Sequence, residues 1–409
     1  MSLPFSSSAS LDATWRARAS AVIPGGASTG SKRPDALFGS EAEEVPTHFV
    51  SASGCRLITA GGTELVDCIM ALGAVALGYA DEAVTHAVVE AAAQGNVAGL
   101  SHTLEVEIAE RLCEVIPCAE QVRFLKSGAE GVAAAVRIAR AHTDRALVLG
   151  CGYFGWLDWY TGGPGVTAGA HADFRAIPFD DVGALEDAVR AAGDSLAALV
   201  IEPIIERLPS EEWISTARRL CDEVGAVLIF DEMKTGFRVR TGGYQEYIGI
   251  TPDLAIFGKA LANGFPLSAV VGRAPVMSAA RRAWISSTLA GESVALAAAG
   301  AVLNCHARGG VCEAIWEAGG AIRGAVEEAI AESGVPGVSV RGIAPMWLID
   351  FDSESRRSRF LEIAVGRGVL FKRGAYNYAS TAHDDEARTL IGSAASEALQ
   401  ILAEEDRDE

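Results

Sequence analysis

Between about residue 100 and residue 275, short apolar runs alternate with amphipathic stretches, and this alternation restricts the fold more than any other feature of the chain. Residues 146–150, 197–203, 226–232, 254–258 and 269–272 are apolar along most of their length, as strands buried on both faces are. Residues 103–116 place Leu104, Ile108, Leu112 and Ile116 on one helical face, and residues 210–224 read as a helix between two of the strands. Strands separated by helices make βαβ units, so the spacing predicts an α/β domain with a mostly parallel central sheet. After Gly291 the pattern changes to a long Ala-rich helix to about His306 and a second helix to about Ser333. Strands near 346–350 and 369–372 then frame a helix, and a last helix over 384–404 opens with an acidic turn that suits its dipole. We therefore expect a large domain over 51–299 and a smaller α+β domain built from both chain ends, 1–50 and 300–409. A length of 409 residues accommodates both.

Charge excludes several function classes. The formal charge is −19 and no Lys/Arg run is longer than Arg356-Arg357, which argues against a surface that tracks nucleic-acid phosphates or binds an anionic membrane. Uncharged stretches such as 68–80 are too short and too broken by glycine to span a bilayer. The first residues lack the basic-then-apolar layout of a secretory signal, so a cytoplasmic location is expected. The eight cysteines form no C-x-x-C pair and the seven histidines no H-E-x-x-H spacing, so neither disulfides nor a bound metal is expected.

Two strand ends carry the chemistry. Lys259 follows the run 254–258, and Asp231 and Glu232 end the run 226–232. A lysine at one strand end and a carboxylate at another are the two groups an enzyme using pyridoxal 5'-phosphate needs: the amine forms a Schiff base, and the carboxylate keeps the pyridine nitrogen protonated. The acids also suit the metal-binding strand of an ATPase, but that reading requires a P-loop. The Gly258-Lys259 pair has Asp253 where a glycine is needed and Ala260 where Ser or Thr is needed. Gly26-Ala27-Ser28-Thr29-Gly30 matches G-x-S-x-G, yet no strand is expected before it and no helix after it, so the strained elbow of a hydrolase is missing.

Two further segments suit a phosphorylated, flat cofactor. Ser127 stands where an N-cap would, so the N–H groups of Gly128 and Ala129 would emerge from a helix start and cup a phosphate. The same residues with Glu130 also make an ordinary capping box. Gly152-Tyr153-Phe154-Gly155-Trp156 follows the strand 146–150, where a ring could stack on Tyr153; an aromatic cluster beneath a loop is the alternative.

Taken together, these segments resemble the class III aminotransferases that use pyridoxal phosphate, and within them the branch of glutamate-1-semialdehyde 2,1-aminomutase. The resemblance covers most of the chain. It implies a fold-type I transferase. It also implies that Asp231, opening D-E-x-x-T-G-F-R, meets the pyridine nitrogen, that Met233 packs under the ring and that Lys259 is the Schiff-base lysine. Ser127, Gly128 and Ala129 would hold the phosphate and Tyr153 would stack, although Phe154 replaces the family's histidine. Ser287-Thr288-Leu289-Ala290-Gly291 is similar to a segment whose threonine reaches the neighbouring subunit's phosphate, so Thr288 implies a homodimer with shared sites. After Ile23-Pro24-Gly25-Gly26, the resemblance gives Arg33 as the residue for the substrate carboxylate, with Lys32 as its competitor; Asn377, in the region of a glutamate that the aminomutase carries, is the other substrate-binding candidate. Lys234 replaces a frequent glutamine, and the aminomutase's glutamate before the 376–383 segment is absent. These departures point to an aminotransferase moving an amino group between a small-molecule donor and a carbonyl acceptor. The aminomutase is the alternative, and a lyase or racemase is a more distant one.

Overall fold

In the computed structural model, which describes residues 8–39 and 45–408, the alternation resolves into a seven-stranded sheet. Its strands are β1 (Gln121–Leu125), β2 (Leu147–Cys151), β3 (Phe174–Ala176), β4 (Leu196–Ile201), β5 (Val227–Asp231), β6 (Leu254–Phe257) and β7 (Ser268–Gly272), in the spatial order β1-β7-β6-β5-β4-β2-β3. The pairs from β3 to β6 are parallel, while β7 is antiparallel to both its neighbours, so one strand runs against the other six. The five apolar runs are the five buried strands. The sequence reading passes over β1 and β3 because β1 alternates polar Gln121 and Arg123 with Val122 and Phe124, and β3 is a three-residue edge strand.

This sheet belongs to one of two compact units, Glu82–Cys312; the other joins Met1–Asp81 to Glu313–Glu409. The helices of the first unit are α1 (Glu82–Gln94), α2 (Thr103–Val115), α3 (Gly128–Thr143), α4 (Val182–Ala192), α5 (Glu211–Val224) and α6 (Ser293–Ala307). Helix α5 shows why they form where they do. Ser210 caps it by accepting the Trp213 N–H, Gly225 ends it at φ +68°, and Trp213, Ala217, Leu220 and Cys221 make its buried stripe. Helix α3 lies on the sheet: Val132, Ala135, Val136 and Ala139 share a core with Val148, Val200, Ile229, Ile256 and Val270. Each fully buried aliphatic side chain there stabilises the fold by about 1.5–3 kcal/mol. Gly131 lets the helix come close, since a Cβ there would stand 2.7 Å from Ile256 Cγ2.

The second unit has two small sheets. Phe49–Ser53, Arg56–Thr59 and Glu64–Asp67 form an antiparallel meander, and Val369–Leu370 adds in parallel to its last strand, which joins the two chain ends. Val338–Ile343, Met346–Phe351 and Asn377–Tyr378 form the other. Its long helices are Ser8–Val22, Glu354–Gly366, Asp385–Asp408 and nearly all of Val311–Ser333, and Asp385–Asp408 is capped where Asp384 Oδ1 accepts the Ala387 N–H at 2.8 Å. The G-x-S-x-G stretch follows no strand, but helical structure does come after it: a 3-10 turn, Gly30–Lys32, and then a short helix, Pro34–Phe38. The missing strand is enough to deny it a strand-to-helix elbow. Among the described residues no helix is long and apolar enough to cross a membrane.

Candidate active site

The chemistry-bearing residues of the large unit gather at the carboxyl edge of its parallel strands, where α/β sheets bind ligands. Asp231 is the last residue of β5 and is only 4% exposed. Its Oδ1 accepts the Met233 N–H at 3.0 Å, and Oδ2 has no hydrogen bond among the described residues. Lys259 lies just past β6, half-buried, with φ at +43°. A left-handed lysine is strained backbone, and such strain concentrates at functional sites. Lys259 makes no hydrogen bond or ion pair among the described residues.

The two groups perturb each other electrostatically. Burial, helped by the nearby Glu202 charge, pushes the Asp231 carboxyl up to about 7, against the opposing pull of the Met233 N–H, Lys259 and Lys234. Burial, helped by the like charge of Lys234, pushes the Lys259 amine down to about 8, while Asp231 and Glu202 act to hold its proton. Glu232 faces the other way, as the strand's period of two requires. It is fully buried, accepts the Tyr244 and Gln245 N–H groups at 2.7 and 3.0 Å and the Thr235 hydroxyl, and so ties down the chain after the strand.

The start of α3 stands beside this pair. Ser127 Oγ accepts the Glu130 N–H at 3.3 Å and Glu130 Oε2 accepts the Ser127 N–H at 2.9 Å, a complete capping box. Ser268 of β7 donates to the Ser127 carbonyl at 2.8 Å and fixes the helix start to the sheet. The N–H groups of Gly128 and Ala129, in the helix's first turn, lack intrahelical acceptors. Met233 links the helix to the lysine: a Cβ added to Gly128 would stand 2.9 Å from its Cε, and one added to Gly258 only 2.5 Å. The loop carrying Tyr153 packs on the same helix end, since a Cβ at Gly155 would meet Ala129 Cβ at 2.4 Å. Tyr153 is 63% exposed, whereas Phe154 is 1% exposed and packs with Trp159, Tyr160 and Phe174. The aromatic cluster beneath the loop is thus built on Phe154, while Tyr153 is left open to solvent. Thr288 lies on an exposed turn where the Ala290 N–H reaches the Ser287 carbonyl at 3.2 Å.

Glu202 was not singled out from the sequence. It is 4% exposed, directly follows β4, pairs with Lys234 and accepts the Tyr153 N–H at 3.1 Å. Its local signal was partial: like Asp231 it is an acid at the carboxyl end of a buried strand, but nothing near it in sequence places it beside Asp231.

In the other unit, Arg33 is exposed and its guanidinium lies over Gly25, where a Cβ would stand 2.7 Å from Nε. Lys32 lines a cavity of about 170 Å³ together with Asp67, Tyr79 and mostly apolar side chains. Asp67 is fixed there, accepting the Ile69 N–H at 2.7 Å and the Tyr79 hydroxyl at 2.6 Å. Asn377 is fully buried; its Oδ1 accepts the Lys372 N–H at 2.8 Å and its Nδ2 has no partner among the described residues.

Residues 38–152 and 171–382 match the family described as aminotransferase class-III. The chain belongs to this family. It is 36% identical over 309 residues to a glutamate-1-semialdehyde 2,1-aminomutase of Rhodopirellula baltica, covering 70% of this chain and 69% of that one. It is 28% identical to a 3-aminobutyryl-CoA aminotransferase of Cloacimonas acidaminovorans, covering 92% and 94%. Among solved structures it is similar to the pyridoxal phosphate internal aldimine form of the FumI protein of Sphingopyxis sp. MTA144, with a TM-score of 0.91 and 28% identity over 97% of this chain and 98% of that one. This class III aminotransferase is accordingly an enzyme that uses pyridoxal phosphate.

The residues present suit that group. A buried carboxylate oxygen without a hydrogen bond can hold a protonated ring nitrogen, and a lysine without an ion-pair partner and with a depressed pKa can react with an aldehyde. A capped helix start with open N–H groups accepts a phosphate.

Proposed function

We propose that the protein is an intermolecular aminotransferase that moves an amino group from a small-molecule donor to a carbonyl acceptor. The observation that carries this is the Asp231–Lys259 pair, two perturbed groups of opposite charge at neighbouring strand ends. In this reading Lys259 Nζ holds the cofactor through its aldehyde, Asp231 holds a proton on the pyridine nitrogen, and the N–H groups of Gly128 and Ala129 with the Ser127 hydroxyl hold the phosphate. Tyr153 and Met233 bound the two ring faces. Bound there, the cofactor supplies an electron sink for the pair left behind when a substrate C–H bond breaks. The Lys259 amine, freed when a substrate amine takes its place, would take that proton from the substrate carbon and hand it on across the substrate nitrogen, two atoms away. A pKa depressed to about 8 leaves a useful fraction of the amine unprotonated near neutral pH. Asp231 favours the reaction by keeping positive charge on the ring side of the site.

For the substrate carboxylate, Arg33 and Lys32 are both candidates, and both are exposed. Asn377 is the third substrate candidate; in the single chain its side chain, Nδ2 included, is fully buried. The experiment that separates the readings is a panel of amino donors and carbonyl acceptors monitored by mass spectrometry. An aminotransferase consumes donor and acceptor together and releases the donor's keto product. Isomerisation of glutamate-1-semialdehyde with no second substrate would establish the aminomutase instead.

The working form in this reading is a homodimer in which Thr288 completes the partner's phosphate site. Leu100, Trp284 and Trp156 are 87%, 84% and 72% exposed in the single chain, an apolar display that a second copy would cover. Sedimentation is expected to give a mass of twice 42.6 kDa. Thr288→Ala should keep that mass and weaken pyridoxal phosphate binding by roughly tenfold, the loss of one hydrogen bond to a charged group. A monomer, or unchanged affinity in the variant, would refute shared sites.

A further inference from the structure

Besides Asp231 and Lys259, the same edge holds an ion pair that the proposed chemistry does not use, Lys234 with Glu202. Glu202 directly follows β4 and Asp231 ends β5; the register Ile201↔Phe230 makes them neighbours across parallel strands. Two carboxylates, each 4% exposed, at adjacent strand ends repel each other and favour protonation of one of them. Lys234, three residues beyond Asp231, reaches back to Glu202 Oε1 and forms an ion pair with it. The other oxygen, Oε2, accepts the Tyr153 N–H at 3.1 Å. The backbone is shaped for this contact. Gly152 has φ +135°, and a Cβ there would stand 2.4 Å from Glu202 Cβ, so only glycine lets the loop close on the carboxylate.

We propose that Glu202 and Lys234 are positioning residues for the cofactor site: Glu202 seats the Tyr153 loop, and Lys234 neutralises Glu202 so that negative charge at the strand ends is concentrated on Asp231. The proposal rests on the reading of Lys259 and Asp231 given above.

The groups facing Lys259 are Asp231 from β5, Lys234 and Arg238 from the segment after it, and Glu202 from the end of β4. Those around Glu202 besides Lys234 and Asp231 are the Cys151 thiol, which burial pushes up to about 12, and the Tyr160 hydroxyl, which burial also raises; both are neutral near pH 7. The balance at the edge is thus two acids against two lysines, with Arg238 further adding positive charge. Removing either member of the second pair leaves a charge of known sign beside the lysine–cofactor linkage. In Lys234→Gln the Glu202 carboxylate is uncompensated and the protonated linkage is favoured. In Glu202→Gln the Lys234 ammonium is uncompensated and the protonated linkage is disfavoured.

The test is a spectrophotometric pH titration of the cofactor band in the holoenzyme and in Lys234→Gln, Glu202→Gln, the double variant and Lys234→Arg, with folding checked by circular dichroism. The band midpoint should rise in Lys234→Gln and fall in Glu202→Gln, each by roughly one pH unit, the low end of what a nearby charge does to a pKa. The double variant, which removes both charges, and Lys234→Arg, which keeps the charge, should titrate close to the wild type. A pair that only braces the fold would change melting temperatures and leave the midpoints alone. Midpoints that stay put, shifts of the same sign in both single variants, or Lys234→Arg displaced as far as Lys234→Gln would each overturn the proposal. If the wild type shows no cofactor band, the reading of the site itself fails, and the proposal with it.

Discussion

Replacing Lys259 by alanine is expected to lower amino transfer by roughly 10⁴-fold or more, because one side chain serves both as the covalent attachment point and as the proton carrier. The fold should survive the change. Lys259 is half-buried and makes no hydrogen bond or ion pair among the described residues, so no buried partner is stranded when it goes. Its φ of +43° already strains an L-residue, and alanine inherits the same strain without adding to it. Without cofactor, the variant also loses a cation that burial and Lys234 both disfavour. Single-turnover rates with an amine donor, alongside melting curves of the cofactor-free proteins, check both halves of the expectation. A variant slowed by no more than about tenfold would mean that another group moves the proton.

The second large effect is expected from Asp231→Asn, and it is legible in pH as well as in rate. An amide cannot balance a protonated ring nitrogen, so turnover should fall by about 10³-fold, the scale of losing a charge interaction at the reacting centre. Stability without cofactor should move the opposite way. The folded carboxyl is pushed up to about 7 from its ordinary 3.8, so between those limits the folded protein binds more protons than the unfolded chain. The stability contributed by Asp231 is therefore present in acid and is lost as pH rises through about 7. Asparagine removes that slope. The melting temperature of cofactor-free Asp231→Asn, relative to the wild type, should accordingly climb from about pH 4 to pH 7 and level off above. A difference that stays flat over that window and changes only below about pH 4 would mean that Asp231 is stabilised as an anion in the folded protein, with a pKa below the usual range.

Much of this was readable in the sequence. The five buried strands announced themselves because strands covered on both faces are apolar throughout, and 254–258 and 226–232 ended in the residues that the structure places at one edge of the sheet. What escaped had weaker signals for physical reasons. Strand β1 is half-exposed, so Arg123 and Gln121 interrupt its apolar pattern. The meander of the second unit is equally mixed: Phe49–Ser53 is largely exposed, which leaves it no apolar run to read. The acids Asp231 and Glu232 are adjacent in sequence and alike in composition, yet a strand's alternation sends them to opposite faces, one toward Lys259 and the other into a backbone tie. Phe154 and Tyr153 also part, but in a loop past the strand end: one is buried and the other exposed. Glu202 was missed because its importance depends on lying beside Asp231 across the sheet, and strand order is not written in any local stretch of residues.

The central claim is that Lys259 is the residue that carries the cofactor, and borohydride trapping tests it most directly. The purified protein is loaded with pyridoxal 5'-phosphate, reduced, digested and read by peptide mass spectrometry. The account predicts that the pyridoxyl phosphate mass is found on Lys259, with Lys259→Ala unlabelled. Label on Lys234 or another lysine in place of Lys259, or a wild-type protein that takes up none, would contradict it.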